Sequence, residues 1–281
     1  MKKSLTIKLL WVIPLYLYAL DANAWGLFTH IYFSQYLLMT PALLDPKIQQ
    51  AIKKFPKLVL AGACLPDLAI ISKSFSTTHQ WQISEQIIAN AETELAMAVG
   101  YASHLFVDVI AHNHFVPAHE AKWLNKTIVT HIASEWAMDG HITQHVIDPP
   151  HRLIKSHIKE LTHFVAPHFK LHPKLVKANL TRLANLDRLL RFSPISSLLL
   201  CGLKKRDAEF VNNMNYYLVK TEHALTNFNS ALQGTRPHWE PELHHLGATE
   251  LIAWRTECLG DLRLRILHPV DYYHARQKID M

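Results

Sequence analysis

The chain has 281 residues, of which 49% are apolar and only eight are glycine. This length and apolar fraction are enough for one sizeable hydrophobic core. The scarcity of glycine argues against a turn-rich β-sandwich. Lysine and arginine number 29 against 23 aspartate and glutamate, a net charge of +6. We expect this excess to be spread along the chain, which excludes a nucleic-acid-binding stripe but suits anionic substrates or a membrane surface.

The first 24 residues have the pattern of a secretory signal peptide. Lys2 and Lys3 precede an apolar run at residues 9–20, and Ala22-Asn23-Ala24 forms a small-residue cleavage site. The alternative is a membrane anchor, but the apolar run is too short to span a bilayer comfortably. We therefore expect export to the periplasm or the exterior and no transmembrane span in the processed protein. A later apolar stretch, residues 195–203, is expected to form a buried helix.

Apolar periodicity predicts that the processed chain, residues 25–281, is a single all-α domain, a helical bundle. The predicted helices are, in chain order, one beginning at His30, then residues 46–55, residues 89–110, a helix continuing past Glu135 to residue 146, residues 151–203 with breaks at Pro167, Pro173 and Pro194, residues 208–232, and residues 248–267. Three widely spaced cysteines give no disulfide framework, although a Cys201–Cys258 pair stays open.

Residue types that bind metals are concentrated in residues 101–136, which read YASHLFVDVIAHNHFVPAHEAKWLNKTIVTHIASEW. His104 and Asp108 stand four apart, His114 follows six residues later, and His131 and Glu135 again stand four apart. Helical residues at positions i and i+4 project from one face, so each pair could meet on one cation. Imidazole with carboxylate and no thiolate is typical of catalytic zinc rather than of a zinc finger. The pattern predicts a multi-metal centre built from two helices.

Four further candidates precede this stretch. Cleavage after Ala24 would give Trp25 a free α-amine, which can lose its proton near neutral pH and become a nitrogen ligand. His30 lies five residues further on, but taken alone it would be an ordinary N-terminal helix residue. Asp67 follows Pro66 at a bend, where the usual role of aspartate is a helix N-cap, but its apolar neighbourhood fits a metal-facing carboxylate equally well. His79 lies in a polar segment, where a single histidine would by default be solvated.

Together these residues resemble the zinc-dependent phospholipase C family, whose fold is shared with fungal single-strand-specific zinc nucleases. The resemblance rests on a cleavage site directly before Trp, a Pro-Asp turn, and H-x3-D-x5-H followed by H-x3-E, in that order. It implies an all-α fold with three zinc ions and the following ligands: Trp25 and His30 for one ion; Asp67, His79, His104 and Asp108 for a second, with Asp108 bridging; and His114, His131 and Glu135 for the third.

Two departures limit what the resemblance implies. Choline-recognising members have an acidic residue just after the mature start and an aromatic residue directly after the Pro-Asp aspartate. Phe28 and Leu68 occupy those places here, so choline specificity is not implied. The implied chemistry is hydrolysis of glycerophospholipids to diacylglycerol and a phosphorylated headgroup, by in-line attack of a zinc-bound hydroxide. Asp67 is the expected catalytic carboxylate, which would orient that water or accept its proton.

Other histidines serve as comparisons for these candidates. His112 is the main alternate to His114, and His119, His141 and His145 are expected to be supporting or surface residues. A further group is expected to form a solvated face, namely His151, His157, His163, His168 and His172.

Two other functions remain open at this stage. A nuclease or nucleotidase on the same metal core would need aromatic side chains on which bases stack, and Phe75, Trp81 and Phe115 are available. A non-catalytic zinc-binding protein is favoured only by the surplus of histidine. The expected partners are a phospholipid or another phosphodiester and a peripheral membrane surface, with nucleic acid only for the nuclease.

Overall fold

A computed structural model describes residues 26–88, 92–123, 127–192, 195–235 and 246–267. The side chains of residues 92, 93, 127–129, 131, 132, 192 and 195 lie outside the description as well. Within the described part, every regular element is a helix and there is no strand. The predicted all-α fold class is therefore confirmed. The signal-peptide prediction and the role of Trp25 lie outside the described residues.

The N-terminal helices surround one long central helix. Three of them, α1 (Leu27–Met39), α2 (Pro46–Lys54) and α3 (Pro56–Gly62), pack against α6 (Glu92–Ile110). Proline occupies the first helical position of both α2 and α3, where its fixed φ favours the helix and its missing N–H costs nothing. In α2 only Ile48, Ala51 and Ile52 are buried, a single apolar stripe that fixes which face meets the core.

Two short helices link this group to α6. They are α4 (Leu68–Ile71) and α5 (Trp81–Ile87), separated by a 3₁₀ turn at Lys73–Phe75. The segment between α3 and α5 carries the predicted site residues Asp67 and His79, and its compact turns keep both close to α6.

The central helix continues through a π-helical turn at Ala111–Phe115 into α7 (Val116–Lys122). The whole stretch Glu94–Lys122 is long and apolar enough to cross a membrane by length and composition, but all of its apolar window is buried inside the protein. Apolar residues on every face are expected of a helix at the centre of a fold. This stretch is therefore the core helix of the bundle.

Two glycines allow α3 and α6 to touch backbone to backbone. A Cβ added at Gly100 would collide with the carbonyl oxygen of Val59, and one at Gly62 would collide with the carbonyl oxygen of Met97. Any side chain at either position would push the two helices apart. The close approach brings the end of α3 against the part of α6 that carries His104.

The second half of the chain wraps around this core. Its helices are α8 (Thr127–Ile142), α9 (Pro150–Ser156), α10 (Ile158–His168), α11 (Pro173–Phe192), α12 (Ile195–Arg206), α13 (Phe210–Ala224), α14 (Phe228–Leu232) and α15 (Ala248–Leu264). α9 and α10 both pack on α11, α12 packs on α8, and α15 packs on α7.

Several sequence predictions for this half need correction. The helix expected over residues 208–232 is divided by a 3₁₀ turn at Leu225–Asn227. Pro167 does not break its helix, because it lies in the last turn, where α10 ends one residue later. The helix at Ile195–Arg206 was expected to be buried, but much of it is exposed, including Leu198 at 64%. Cys64, Cys201 and Cys258 are all free, so no Cys201–Cys258 disulfide is present.

Candidate metal centre

The central helix places three side chains on one face at spacings of four residues. His104 Nε2 lies 3.1 Å from Asp108 Oδ2, and His112 Nε2 lies 3.8 Å from Asp108 Oδ1. All three residues are buried. From α1, His30 Nε2 approaches Asp108 Oδ1 at 3.3 Å, and its ring stacks on that of His104 with centroids 3.4 Å apart. Asp108 therefore lies at the meeting point of three imidazoles.

The orientation of the His104 ring is set by the backbone of α3. Its Nδ1 lies 2.8 Å from the carbonyl oxygen of Ala63. Because a carbonyl can only accept, Nδ1 carries the proton in the neutral ring and Nε2 offers its lone pair to the cavity. A histidine whose second nitrogen donates to a carbonyl is the usual arrangement of a metal-binding imidazole. The glycine contact between α3 and α6 makes this hydrogen bond possible.

Asp67 and His79 are brought to α6 by a cross-linked segment. The Thr78 hydroxyl donates to the Pro66 carbonyl oxygen at 2.6 Å. This hydrogen bond links the residue before Asp67 to the residue before His79. The Tyr101 hydroxyl of α6 donates to the Thr78 carbonyl. Both candidates consequently face the central helix.

Each of these two positions differs from the simplest sequence interpretation. Asp67 occupies the N-cap position of α4, but its side chain makes no capping hydrogen bond and is buried. Its Oδ1 has no hydrogen-bond partner among the described residues. His79 is buried, with only 9% of its surface exposed, so a solvated histidine is the wrong description. Both side chains point into the protein rather than serving a helix end or the solvent.

Two groups of ligand atoms result, and they share His104. The first comprises His30, His104 and Asp108; the second comprises Asp67, His79 and His104, and within each group the atoms lie within 4.8 Å of one another. The Nε2 atoms of His79 and His104 are 3.3 Å apart, and His79 Nε2 is 3.5 Å from Asp108 Oδ2. These separations let several nitrogen and oxygen donors meet on neighbouring cations.

The electrostatics of Asp67 reflect the density of carboxylates in this cavity. Burial raises the pKa of Asp67 from its usual 3.8 to about 8, with His104 opposing the rise and Asp108, Glu135 and Asp139 adding to it. A buried carboxylate resists ionisation when other carboxylates are near. A cation bound here would reverse that balance, because it would neutralise the charges that now repel one another.

The third predicted ligand set is described only in part. Glu135 is buried on α8, and its Oε1 lies 3.9 Å from His112 Nδ1. His114 is buried with its ring edge-on to Trp254, the centroids 5.2 Å apart. His131 lies on α8, but its side chain is outside the described residues. His112, which the sequence treats as the alternate to His114, is the imidazole that joins Asp108 to Glu135.

The π turn that carries His112 and His114 is held by the C-terminal helices. The indole of Trp254 and the thiol of Cys258, both on α15, donate to the carbonyl oxygen of Asn113. The hydroxyl of Tyr217 on α13 donates to the His114 carbonyl oxygen at 3.1 Å. A π turn inserts one extra residue into a helical turn and is frequent at functional sites. Sequence spacing did not predict it, although the Asp108–His112 interval of four was visible.

A second feature missed by the sequence analysis holds the start of α1. Asp139 of α8 accepts hydrogen bonds from the Thr29 backbone N–H at 3.0 Å and the Thr29 hydroxyl at 2.8 Å. Arg191 of α11 donates to Asp139 at 2.9 Å, and its guanidinium lies 3.2 Å from the centroid of the Phe28 ring. Burial raises the pKa of Asp139, and Arg191 and Thr29 oppose the rise. This Asp139–Arg191 clamp fixes the turn that contains His30.

The remaining histidines have structural or solvent-facing positions. His119 is buried, its Nδ1 lies 2.7 Å from the Phe115 carbonyl oxygen, and burial lowers its pKa to about 4. His141 Nε2 lies 2.9 Å from Asn215 Oδ1, and His145 is exposed. In the group predicted to form a solvated face, His163 and His172 are exposed, whereas His151, His157 and His168 are partly buried.

The donor set fits zinc. The two groups offer imidazole nitrogen and carboxylate oxygen without thiolate, which is the ligand chemistry of catalytic zinc sites. The partnerless Oδ1 of Asp67 supports the same conclusion, because a buried carboxylate oxygen needs a hydrogen bond or a cation. The individual ligand roles and the number of ions remain predictions; of the nine residues named from sequence, five lie in the two groups, namely His30, Asp67, His79, His104 and Asp108.

Comparison with known proteins agrees with this geometry. The family model described as zinc dependent phospholipase C matches residues 29–186. That segment includes both ligand groups, Glu135 and the Asp139 carboxylate. No curated protein and no solved structure gave a significant match. The match covers more than half of the chain, and the chain belongs to the zinc-dependent phospholipase C family, a family of zinc hydrolases of phospholipids.

Proposed function

We propose that this protein is a phospholipase C that hydrolyses glycerophospholipids to diacylglycerol and a phosphorylated headgroup. The observation that carries the proposal is the convergence of two buried histidine–aspartate groups that share His104. Family membership supports phosphodiester hydrolysis as the reaction class. The combination of carboxylate and imidazole in these two buried groups favours catalysis over metal storage.

Zinc, when bound, supplies positive charge for the phosphoryl oxygens and lowers the pKa of a water molecule towards ~7. His30 and Asp108 would hold one ion together with the α-amine of Trp25. Asp67, His79 and His104 would hold a second, and Asp108 would bridge the two. Glu135, His114 and His131 would hold a third, with His112 placed to support Asp108 and Glu135.

Asp67 is the residue to which we assign proton transfer. Its Oδ1 is not committed to any hydrogen bond among the described residues and lies 3.8 Å from His104 Nε2. It can therefore orient the attacking water and accept its proton as the bond to phosphorus forms. The diacylglycerol oxygen would leave on the opposite side of phosphorus, in line with the attack, and would take up a proton from solvent, which balances the proton accepted by Asp67.

The contacts of three aromatic side chains favour lipid over nucleic acid. Phe75, Trp81 and Phe115 were the residues available for stacking bases, and all three are buried. Phe75 packs on Phe169, and Phe115 packs on Tyr217. A nuclease would need exposed aromatic faces in its cleft, and these three side chains do not provide them. Phe28 and Leu68 are buried as well, so neither can contact a choline headgroup.

The first experiment compares substrates. Protein beginning at Trp25 is assayed on phosphatidylcholine, phosphatidylethanolamine and single-stranded DNA, with and without a chelator. We expect release of diacylglycerol from at least one phospholipid, its loss with the chelator and its recovery on adding zinc. Cleavage of DNA alone would make the protein a nuclease. Zinc binding without hydrolysis of any substrate would make it a non-catalytic zinc protein.

The second experiment tests the role of Asp67. We expect Asp67→Asn to lower turnover roughly 100-fold or more, the usual contribution of a general base, and to lower turnover far more than zinc content. Asp148→Asn is the matched control, because Asp148 is partly exposed and forms a surface ion pair with Lys57 at 3.5 Å. Equal losses of zinc and of turnover would reduce Asp67 to a plain ligand.

The proposal also includes export and processing. We propose that residues 1–24 direct the chain to the periplasm or the exterior and are removed there. Protein that begins one residue earlier, at Ala24, has an amide at Trp25 in place of an amine. We expect it to bind less zinc and to be much less active than protein beginning at Trp25. Equal zinc content and activity in the two forms would contradict the ligand role of Trp25.

A further inference from the structure

The positive charge of the chain is spread over several segments, as expected, and one of them lines an open groove. Residues 151–177 contain six lysine or arginine residues and a single acidic residue, Glu160, so they carry a net charge of +5. These residues form α9, α10 and the beginning of α11. Lys159, Lys170 and Lys177 of this segment are exposed and come together around one groove.

This open groove of about 590 Å³ lies between α10 and α11. Its floor is aliphatic and includes Ile158, Ala166 and Leu171. Its rim carries exposed cationic side chains, and we call the whole feature the basic groove. The rim is formed by Lys159, Lys170 and Lys177, with His163 beside them.

The sequence of α10 explains how the groove remains open. Leu161, Phe164 and Val165 face the core and are buried. A second stripe, from residue 158 through residues 162 and 166 to residue 170, recurs at helical spacing and lines the groove. α10 thus has one face that packs on the core and a second face that lines the groove, and the described part of the chain leaves the second face open.

The chemistry of the groove indicates its ligand. We infer that the basic groove binds an anionic phospholipid of a membrane surface, with the headgroup phosphate among the lysines and part of an acyl chain along the floor. Lysines near an anionic leaflet attract it electrostatically, and aliphatic side chains gain by burial at the interface. None of the residues lining the groove is Phe, Tyr or Trp, so it lacks the stacking platforms of a single-strand nucleic-acid site.

The groove lies next to the elements that carry the metal-ligand candidates. α11 packs against α4, which begins directly after Asp67. Phe169, at the end of α10, packs edge-on against Phe75, with centroids 5.5 Å apart, in the turn that precedes His79. The inference rests in part on the proposed function, since a phospholipase must hold itself at a bilayer to reach its substrate.

Vesicle binding tests this inference. Protein beginning at Trp25 is sedimented with vesicles of phosphatidylcholine alone and with vesicles of equal parts phosphatidylcholine and phosphatidylglycerol, over a range of salt concentrations. The groove variant carries Lys159→Gln, Lys170→Gln and Lys177→Gln. The control carries Lys47→Gln, Lys53→Gln and Lys205→Gln, which removes three charges from exposed positions outside the groove.

We expect the groove variant to bind anionic vesicles roughly 100-fold more weakly than the unmodified protein, since each lysine near such a surface is worth about 1 kcal/mol and 1.4 kcal/mol is tenfold. The control should lose much less, and added salt should weaken the binding of the unmodified protein. Equal losses in the groove variant and the control would overturn the inference, because the effect would then come from overall charge. Binding that does not distinguish anionic from neutral vesicles would overturn it as well.

Two further measurements separate this inference from the proposed function. Monomeric dihexanoyl lipids can be hydrolysed without a membrane, so the groove variant should hydrolyse dihexanoylphosphatidylcholine and dihexanoylphosphatidylethanolamine at the rates of the unmodified protein. If no form hydrolyses either lipid but the groove variant alone loses vesicle binding, the proposed function fails and the groove assignment stands. If the groove variant loses binding to a single-stranded oligonucleotide while it binds vesicles as the control does, the groove binds nucleic acid and the inference is wrong.

Discussion

The histidines of the central helix, which runs from α6 into the π turn at Ala111–Phe115, and those of α10 belong to the same protein but have opposite surroundings. His104 on α6 and His112 in the π turn are buried against carboxylates. His163 on α10 is exposed on the rim of the basic groove. Each of the two stretches contains more than one histidine, so the presence of several histidines does not distinguish them. What distinguishes the central helix is that His104 and His112 each stand four residues from the carboxylate of Asp108, and that the surrounding sequence is apolar on all faces of the helix.

This difference has a physical cause. An imidazole can be buried at low cost only if a hydrogen bond or a metal satisfies its nitrogens. For His104 on α6, the partners are the carbonyl oxygen of Ala63, directly after α3, and the carboxylate of Asp108. In α10, solvent provides them for His163. The comparison predicts that substitutions in the two regions will differ in kind, affecting metal and catalysis in one and surface charge in the other.

The largest expected effect comes from His104, which both ligand groups share. His104→Ala should remove zinc from both groups and lower activity by more than about 100-fold, beyond the loss usual for a supporting residue of a metal site. Zinc content by elemental analysis and the rate of diacylglycerol release measure this. His163→Ala is the matched control and should retain full zinc and activity on a soluble substrate. Similar losses in both variants would remove the distinction between the two helices.

The next effect concerns the pH dependence of stability without metal. Because burial raises the pKa of Asp67 from 3.8 to about 8, the unfolded chain releases this proton near pH 4, whereas the folded, zinc-free protein retains it. The stability associated with the protonated form is therefore present at low pH and lost as pH rises from about 4 to about 8. The Tm of chelator-treated protein should therefore fall as the pH rises through this range.

Asp67→Asn isolates this contribution, since an amide does not ionise. A pKa displaced by several units is worth several kcal/mol, and 1 kcal/mol shifts Tm by about 2–4 °C in a domain of this size. We expect the decline in Tm of the chelated protein between pH 5 and pH 8 to be roughly 5–10 °C smaller in the variant. Added zinc should raise Tm more at pH 8 than at pH 5, because binding requires deprotonated ligands. Parallel pH curves for the two proteins would contradict this account.

A smaller effect is expected from the Asp139–Arg191 clamp. Arg191→Ala leaves the buried carboxylate of Asp139 without its cation and should destabilise the protein by roughly 3 kcal/mol. Urea unfolding measures this loss, and zinc content reports whether the turn carrying His30 has moved. Arg182→Ala, at an exposed position on the same helix, should change the free energy of unfolding by no more than about 0.5 kcal/mol. Equal stabilities for the two variants would show that the clamp contributes nothing.

The smallest effect is expected at the surface pair of Lys57 and Asp148. Their charged atoms are 3.5 Å apart, and the Lys57 side chain is 64% exposed. Such pairs contribute about 0–1 kcal/mol, so Lys57→Ala should leave unfolding and activity nearly unchanged. A loss comparable to that of Arg191→Ala would mean that burial does not decide the value of a charge pair in this protein.

Local patterns in the sequence were sufficient to predict the fold class and part of the candidate metal site. The all-α class followed from apolar periodicity, and α6 extends to residue 110 as predicted. His104 and Asp108 could be paired from their interval of four, because residues at that spacing share a helix face whatever the rest of the fold does. The family resemblance was likewise carried by residues close together in the chain, and the family match confirms it.

Other features depend on contacts between distant segments, and only the tertiary structure decided them. Local sequence left Asp67 open between an N-cap and a metal-facing carboxylate and made His79 a solvated residue by default, but the Thr78 contacts turn both towards α6. The π turn at His112 depends on α13 and α15, more than a hundred residues further along the chain. The Asp139–Arg191 clamp joins three helices. Local spacing fixes which side chains share a face, whereas burial and partner choice depend on which faces meet.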